Sequence, residues 1–256
     1  MKRIGIIGGM SYQSTAHYYE EINRRVNDLA GGLNSADLVI KSVNFAEFHE
    51  LMEAGDWTKI AHRLDHMALD LVVLDGCDYV AIATNTMHKV ASIVAGAHTI
   101  KDKIWPPTET VVNVELVHIG DSIAKKCKEV DAKRILLLGT KFTMTESFLK
   151  DYLKEMHEIE TIDLSGYPEE IDEINRIIFE ELCRGDITNK SADYLWDFIS
   201  RFLDDADEEP DAIVLGCTEL DMLFRDQAIR GADDLIPVID STEAHIESIV
   251  ECCLSD

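Results

Sequence analysis

Positive charge is scarce in this chain: 24 Lys and Arg stand against 49 Asp and Glu, for a net charge of −25. Such a surface repels phosphate backbones and anionic bilayers, so neither nucleic acid nor membrane is an expected partner. The sequence also lacks any apolar run of the roughly 18–20 residues that a membrane span requires. Met1-Lys2-Arg3 leads straight into Ile4-Gly5-Ile6-Ile7, with no signal-peptide core between them, and a cytoplasmic protein is expected. Six cysteines (Cys77, Cys127, Cys183, Cys217, Cys252 and Cys253) contain no C-x-x-C pair, and a reducing compartment keeps them as thiols. There is no Walker A sequence. Gly5-Ile6-Ile7-Gly8-Gly9 departs from the dinucleotide fingerprint, and the acidic residue about 20 positions on, Asp28, falls in a helical pattern. His62 and His66 are four residues apart but lack the glutamate and third ligand of a zinc site, so they are read as a solvated helix face and no metal is expected.

What is present is the pattern of a globular α/β protein. At 256 residues the chain can bury one large or two small cores, and 46% of it is hydrophobic. Short Val/Ile/Leu runs alternate with amphipathic stretches, the signature of buried parallel strands between helices. Strands are expected at 3–7, 37–43, 79–83, 134–138, 212–216 and 236–239, with a short one near 116–119. Helices are expected near 14–29, 57–75, 86–96, 120–129, 144–155, 168–184, 190–205 and 242–253. The acidic run from Asp204 to Glu209 reads as a solvated loop.

The pattern also reads as a duplication. Arg3-Ile-Gly-Ile-Ile-Gly8 matches Arg134-Ile-Leu-Leu-Leu-Gly139, and Tyr79-Val-Ala-Ile-Ala-Thr84 matches Ala212-Ile-Val-Leu-Gly-Cys217. The spacing from Gly8 to Thr84 is 76 positions (84 − 8) and from Gly139 to Cys217 is 78 (217 − 139). The expected architecture is two pseudo-symmetric parallel-sheet α/β domains, residues 1–116 plus 229–256 and residues 117–228, with a cleft between them as the active site. Each copy presents one small polar or nucleophilic residue at a strand end, where open α/β sheets bind ligands.

Cys217, followed by Thr218-Glu219-Leu220, is read as entering a helix whose N-terminus favours a thiolate base or nucleophile. Thr84 is its counterpart, a weak acid or base that could equally be a helix N-cap. Asn85 and Thr86 add an amide and a hydroxyl at a helix start, a natural carboxylate cradle. The first turns of the two copies, Gly8-Gly9-Met10-Ser11 and Gly139-Thr140-Lys141-Phe142-Thr143, offer further donors. His88, one helical turn after Thr84, could tune the site or simply pack.

Ile4-Gly5-Ile6-Ile7-Gly8-Gly9-Met10-Ser11, Thr84-Asn85-Thr86-Met87-His88, Leu138-Gly139-Thr140 with Thr143-Met144, and Gly216-Cys217-Thr218-Glu219 together resemble the aspartate/glutamate racemase family, in the family's order and over nearly the whole chain. The resemblance implies a cofactor-independent amino-acid racemase, usually a homodimer, that uses neither pyridoxal phosphate nor metal. It implies Thr84 and Cys217 as the acid/base pair acting on a small amino acid, with threonine where many members carry a first cysteine. Asn85, Thr86 and Thr218 would hold the α-carboxylate, with Met10, Ser11 and Met52 lining the site and Thr140 and Thr143 completing the substrate-binding set. His88, Glu219 and Glu173 stand behind these as supporting residues.

Two positions depart from the family's pattern. Glu173 stands where relatives carry a lysine for the distal carboxylate, and Met52 stands where they carry a polar or cationic side chain. The connector 99–116, with Trp105-Pro106-Pro107, is longer than the family implies. Like-charge repulsion at Glu173 disfavours a dicarboxylate, so a neutral or cationic amino acid stands beside aspartate and glutamate, with rescue by Lys141 or Arg176 as the counter-argument. A single-cysteine decarboxylase or isomerase and a non-catalytic amino-acid binder are the other readings.

Overall fold

The computed structural model describes residues 1–101, 109–205, 209–224 and 236–255, and these fall into two compact units. Unit 1 comprises Met1–His118 and His245–Asp256, and unit 2 comprises Ile119–Ala244.

Unit 1 is built on β1 (Ile4–Gly8), β2 (Leu38–Ser42), β3 (Tyr79–Ile82) and β6 (Leu116–Val117), all parallel, in the order β2-β1-β3-β6. Every residue of β1 is buried. Helix α1 (Tyr12–Ala30) turns Tyr18, Ile22 and Val26 onto the sheet at four-residue spacing. Helix α11 (Ser241–Leu254) adds Ile246, Ile249 and Cys253 to the same cluster, with Ile4, Ile6 and Ala81. Each fully buried Ile of this kind contributes about 1.5–3 kcal/mol. Helices α2 (Phe45–Glu53), α3 (Trp57–Val73) and α4 (Ala91–Val94) complete the unit, with an antiparallel ribbon of β4 (Gly96–Lys101) and β5 (Glu109–Val114).

Unit 2 repeats the scheme. Strands β7 (Arg134–Gly139), β8 (Glu160–Thr161), β9 (Ala212–Gly216) and β10 (Val238–Asp240) are parallel, in the order β10-β9-β7-β8. In each unit the first strand is flanked by the second and third, with the fourth beyond the third, so the duplication read from the sequence holds at the level of strand order. Period-two alternation splits the core. Ile135, Leu137, Ala212 and Val214 pack against α5 (Ile119–Glu129) and α7 (Ser147–His157), through Ile119, Ile123, Leu149 and Leu153. Leu136, Leu138, Ile213 and Leu215 pack against α8 (Pro168–Arg176) and α9 (Asn189–Asp205), through Ile171, Ile174, Leu195 and Phe198. Two short helices, α6 (Lys141–Thr145) and α10 (Asp221–Phe224), come after β7 and β9.

Several local expectations change. The stretch 86–96 is a 3₁₀ turn (Thr86–Val90), then α4, then the start of β4, and not one helix. The connector 99–116 is largely the β4/β5 ribbon, and its Trp105-Pro106-Pro107 lies outside the described residues, as do 206–208 of the acidic run. The helix expected at 144–155 is divided at Glu146, whose backbone is extended (ψ 159°). That expected at 168–184 passes through a π turn (Ile177–Glu181) held by Arg176, which donates to both Glu173 (2.8 Å) and Glu181 (2.7 Å). The chain divides at Ala244/His245 and not at residue 229, because β10 pairs in register with β9 (Asp240 opposite Leu215) and so belongs to unit 2.

Candidate active site

In unit 1 the sequence-predicted residues other than Met52 follow the carboxyl ends of β1 and β3. These strands are neighbours, and Ala83 N–H donates to the Ile7 carbonyl (2.9 Å). The backbone leaves β1 through Gly9 at φ 92°, a conformation that favours glycine, and a Cβ there would lie 2.4 Å from the Val43 carbonyl oxygen. Met10 and Ser11 come next, both buried. Ser11 is the N-cap of α1, its hydroxyl accepting from Ser14 N–H (3.3 Å), and Thr15 Oγ1 accepts from Gly9 N–H (2.7 Å).

The turn after β3 carries Thr84, half-buried, then Asn85, Thr86 and His88, all buried. Thr84 is not a helix N-cap: the 3₁₀ turn begins at Thr86, and its cap position is Asn85. His88 Nδ1–H donates to the Thr84 carbonyl (2.9 Å), which fixes the ring's tautomer. Burial, reinforced by His118 and His245, holds His88 well below the ordinary histidine range, so it is neutral. Met52 is buried on α2, 3% exposed.

Unit 2 assembles its half in the same way. Gly139 and Gly216 are paired partners, and a Cβ on Gly139 would stand 2.7 Å from the Gly216 carbonyl oxygen. That close approach brings the first turn of the copy against the end of β9. Thr140 N-caps α6, with its Oγ1 3.2 Å from that of Thr143, and the Thr143 methyl lies 3.2 Å from where a Gly216 Cβ would be. Thr140, Thr143, Cys217 and Thr218 are thus brought together.

Cys217, 6% exposed, donates its thiol to Glu219 Oε2 (3.1 Å), and the Thr218 hydroxyl donates to the same oxygen (2.6 Å). This corrects the sequence expectation. The residues after Cys217 form a turn, with Leu220 N–H on the Cys217 carbonyl (3.1 Å), and the helix beyond it begins only at Asp221. Burial, then the Glu219 carboxylate and Cys183, push the Cys217 thiol well above its ordinary range, so the resting group is a thiol and not the thiolate expected. Cys183, raised by its own burial, is not a rival nucleophile.

Glu173 ion-pairs with Arg176 (2.8 Å), which holds its carboxyl below the usual carboxylate range. Arg176 also meets Glu181 (2.7 Å) and Glu180 (3.7 Å), and Lys141 pairs with Asp172 (2.7 Å). The two cations considered as rescuers of acidic specificity are therefore each engaged in ion pairs with acidic side chains. A separate cavity of about 650 Å³ between α2 and α3, lined by residues including Phe48, His62, Arg63 and His66, contains none of the predicted residues. Among the described residues no cluster of His, Cys, Asp and Glu suits a metal ion, and no helix is long and apolar enough to cross a membrane. What sequence reasoning missed is the direct thiol–carboxylate bond at Cys217 and the company of His88. His118 and His245, 127 positions apart (245 − 118), carry no joint signal in the chain.

The model of the Asp/Glu/Hydantoin racemase family matches residues 7–249. Among solved structures, a candidate Asp/Glu racemase from Yersinia pestis is 34% identical, with all of both chains covered and a TM-score of 0.80. An aspartate racemase homologue from Pyrococcus horikoshii OT3 is 31% identical, also with both chains fully covered, at a TM-score of 0.72. An aspartate racemase from Picrophilus torridus, 21% identical with 99% of this chain and 94% of that one covered, shares the fold at a TM-score of 0.68. The chain belongs to the Asp/Glu/hydantoin racemase family, and with it to the racemases that work without pyridoxal phosphate.

Proposed function

We propose that the protein racemises a small α-amino acid by proton transfer at Cα, with Cys217 and Thr84 as the two unequal proton-transfer groups. The observation that carries this reading is the buried Cys217 thiol at the end of β9, bonded at 3.1 Å to a carboxylate two residues on. Glu219 accepts the thiol proton, and the thiolate so formed takes the Cα proton and becomes a thiol again. The carbanion is then protonated on its other face by the Thr84 hydroxyl. In the reverse sense, the Thr84 alkoxide removes the Cα proton and the Cys217 thiol delivers one; between turnovers in one direction the proton held by Glu219 returns to Thr84 by way of solvent. A hydroxyl is far the weaker acid and base, so the two enantiomers are deprotonated at very different rates while the equilibrium ratio stays near unity. Asn85, Thr86 and Thr218 supply uncharged donors for the α-carboxylate, and electrostatic stabilisation of the carbanion supplies much of the barrier lowering.

Aspartate and glutamate are the first candidates for the substrate, by likeness to the Asp/Glu and aspartate racemases of the family. A neutral or cationic amino acid is the second reading, favoured by the ion pairs that occupy Lys141 and Arg176. The test is incubation in D₂O with each enantiomer of aspartate, glutamate, alanine and lysine, with Cα–H loss read by NMR. Exchange that disappears in Cys217→Ala supports the reading, and the responding amino acid identifies the side chain. Loss of carbon dioxide in place of exchange would move the single-cysteine decarboxylase ahead.

A further inference from the structure

The chain crosses between its two units at two places only, His118/Ile119 and Ala244/His245. Both crossings carry a histidine, and both histidines pack on His88. The rings of His88 and His118 are 4.6 Å apart edge to face, and those of His88 and His245 are 5.9 Å apart. His245 is itself fixed. Its Nε2–H donates to the Val117 carbonyl (2.8 Å), next to the first crossing, which in the neutral ring leaves Nδ1 to accept from the Tyr18 hydroxyl (3.0 Å). Tyr18 and His245 are fully buried.

His88 ends this chain of contacts at the Thr84 turn. Its backbone N–H goes to the Asn85 carbonyl (3.0 Å), so the ring serves the Thr84 carbonyl in place of the main chain. A 3₁₀ start leaves early carbonyls without their α-helical partners, and a buried carbonyl needs one. The residue whose carbonyl is stapled is the one assigned to proton transfer. A purely apolar side chain at position 88 would fill the same space without holding it.

We propose that His88 is a positioning residue for Thr84, and that His118 and His245 tie the Thr84 turn to both points where the chain passes between units. This rests on the assignment of Thr84 as a proton-transfer group. The cluster acts in its neutral form, in which His88 Nδ1–H is the donor, and the titratable groups facing His88 are His118 and His245, with Tyr18 behind His245.

The test compares wild type, Thr84→Ala, His88→Phe, His88→Asn and His118→Ala. In each, the rates of Cα–H loss in D₂O from the two enantiomers are measured together with the urea midpoint. Asparagine places an amide N–H near where Nδ1–H stood, whereas phenylalanine keeps the ring and removes the donor. The expected result is that His88→Phe shifts the ratio of the two rates about tenfold or more, in the same sense as Thr84→Ala, since misplacement by about 1 Å can cost ~100-fold. His88→Asn restores the ratio to within about threefold of wild type, and His118→Ala shifts it in the same sense as His88→Phe. Equal slowing of both enantiomers, with a lower urea midpoint, means His88 merely packs and overturns the positioning role while leaving the proton-transfer pair intact. A ratio untouched by His118→Ala overturns the link to the crossings. If Thr84→Ala itself leaves the wild-type ratio unchanged, the assignment of Thr84 fails, a result distinct from both. Imidazole ¹⁵N shifts provide a reading without turnover: at neutral pH His88 shows the Nδ1–H tautomer, and an Nε2–H tautomer refutes the staple.

Discussion

Replacing Glu219 by glutamine keeps the side chain's shape and removes its charge, which should ease ionisation of Cys217 and yet slow catalysis. Glu219 is 3% exposed, and one of its oxygens accepts from both Cys217 Sγ and Thr218 Oγ1. A thiolate and a carboxylate 3.1 Å apart, at an effective permittivity of about 20, repel by about 5 kcal/mol, so the pair holds at most one negative charge. With the carboxylate gone, that repulsion no longer opposes thiol ionisation, and the thiolate of Cys217 should appear at lower pH than in wild type. The catalytic effect runs the other way. The group proposed to accept the thiol proton is lost, and general-base contributions of this kind are worth roughly 10²–10⁴-fold in rate. The assays are thiolate ultraviolet absorbance against pH, taken as a difference from the matching Cys217→Ser protein, and Cα–H exchange in D₂O. A glutamine variant that ionises later than wild type, or that exchanges as fast, refutes the role given to Glu219.

On the proposed assignment Thr84 is the weaker base for one enantiomer; Thr84→Cys puts a readily ionised thiol there and should raise exchange of the slower enantiomer more than about tenfold while changing the faster one little, as read by NMR with both enantiomers. Tyr18→Phe leaves His245 Nδ1 buried without its donor and should cost about 1–3 kcal/mol in urea unfolding, with the m-value unchanged. Burial, with the nearby Asp221 carboxylate adding to it, pushes the Asp240 carboxyl up to about 7, although its Oδ1 accepts from Thr242 N–H (2.7 Å) at the start of α11. The folded state therefore holds that proton after the unfolded chain has released it, and Asp240 lowers stability progressively as pH rises from about 4 through 7. Asp240→Asn, which keeps a capping oxygen, should stabilise the protein above pH 7 by up to about 4 kcal/mol and have no such effect near pH 4, by urea melts across that range. His88 has the opposite sign. Its folded value lies below the ordinary 6.5, so its contribution is complete above about pH 6.5 and falls by up to about 1.4 kcal/mol per unit as the pH drops below it, a slope that His88→Phe should remove.

Much of this protein could be read along the chain, because the signals involved are local. Alternating strand and helix periods placed β1, β3, β7 and β9 within a residue or two, and the two repeated strand-turn pairs reappear as equivalent strands in the two units. The Thr84-Asn85-Thr86 and Gly216-Cys217-Thr218-Glu219 blocks carried the family, since each is a strand end and the turn after it. Where the reading failed, distant contacts overrode local preference. Residues 86–96 have helical character, yet the β4/β5 pairing takes the chain from Gly96 onward. Register with β9 holds Val238–Asp240 in unit 2 and moves the boundary to Ala244. The thiolate expected from a helix start gave way to a thiol, because a turn stands where the helix start was expected and burial and a neighbouring carboxylate raise the thiol.

The sequence by itself determined the fold class, the duplication, the family and which residues stand at the two strand ends, all of which are encoded in spacing and residue type over short stretches. Only the tertiary structure decided the burial that raises the Cys217 thiol, the ion pair of Lys141 with Asp172, and the meeting of His88, His118 and His245. These depend on burial and on contacts between residues tens to hundreds of positions apart, as with Tyr18 and His245 at a separation of 227. Free energies of desolvation and charge are set by what surrounds a group in space, and no local pattern in a chain contains that.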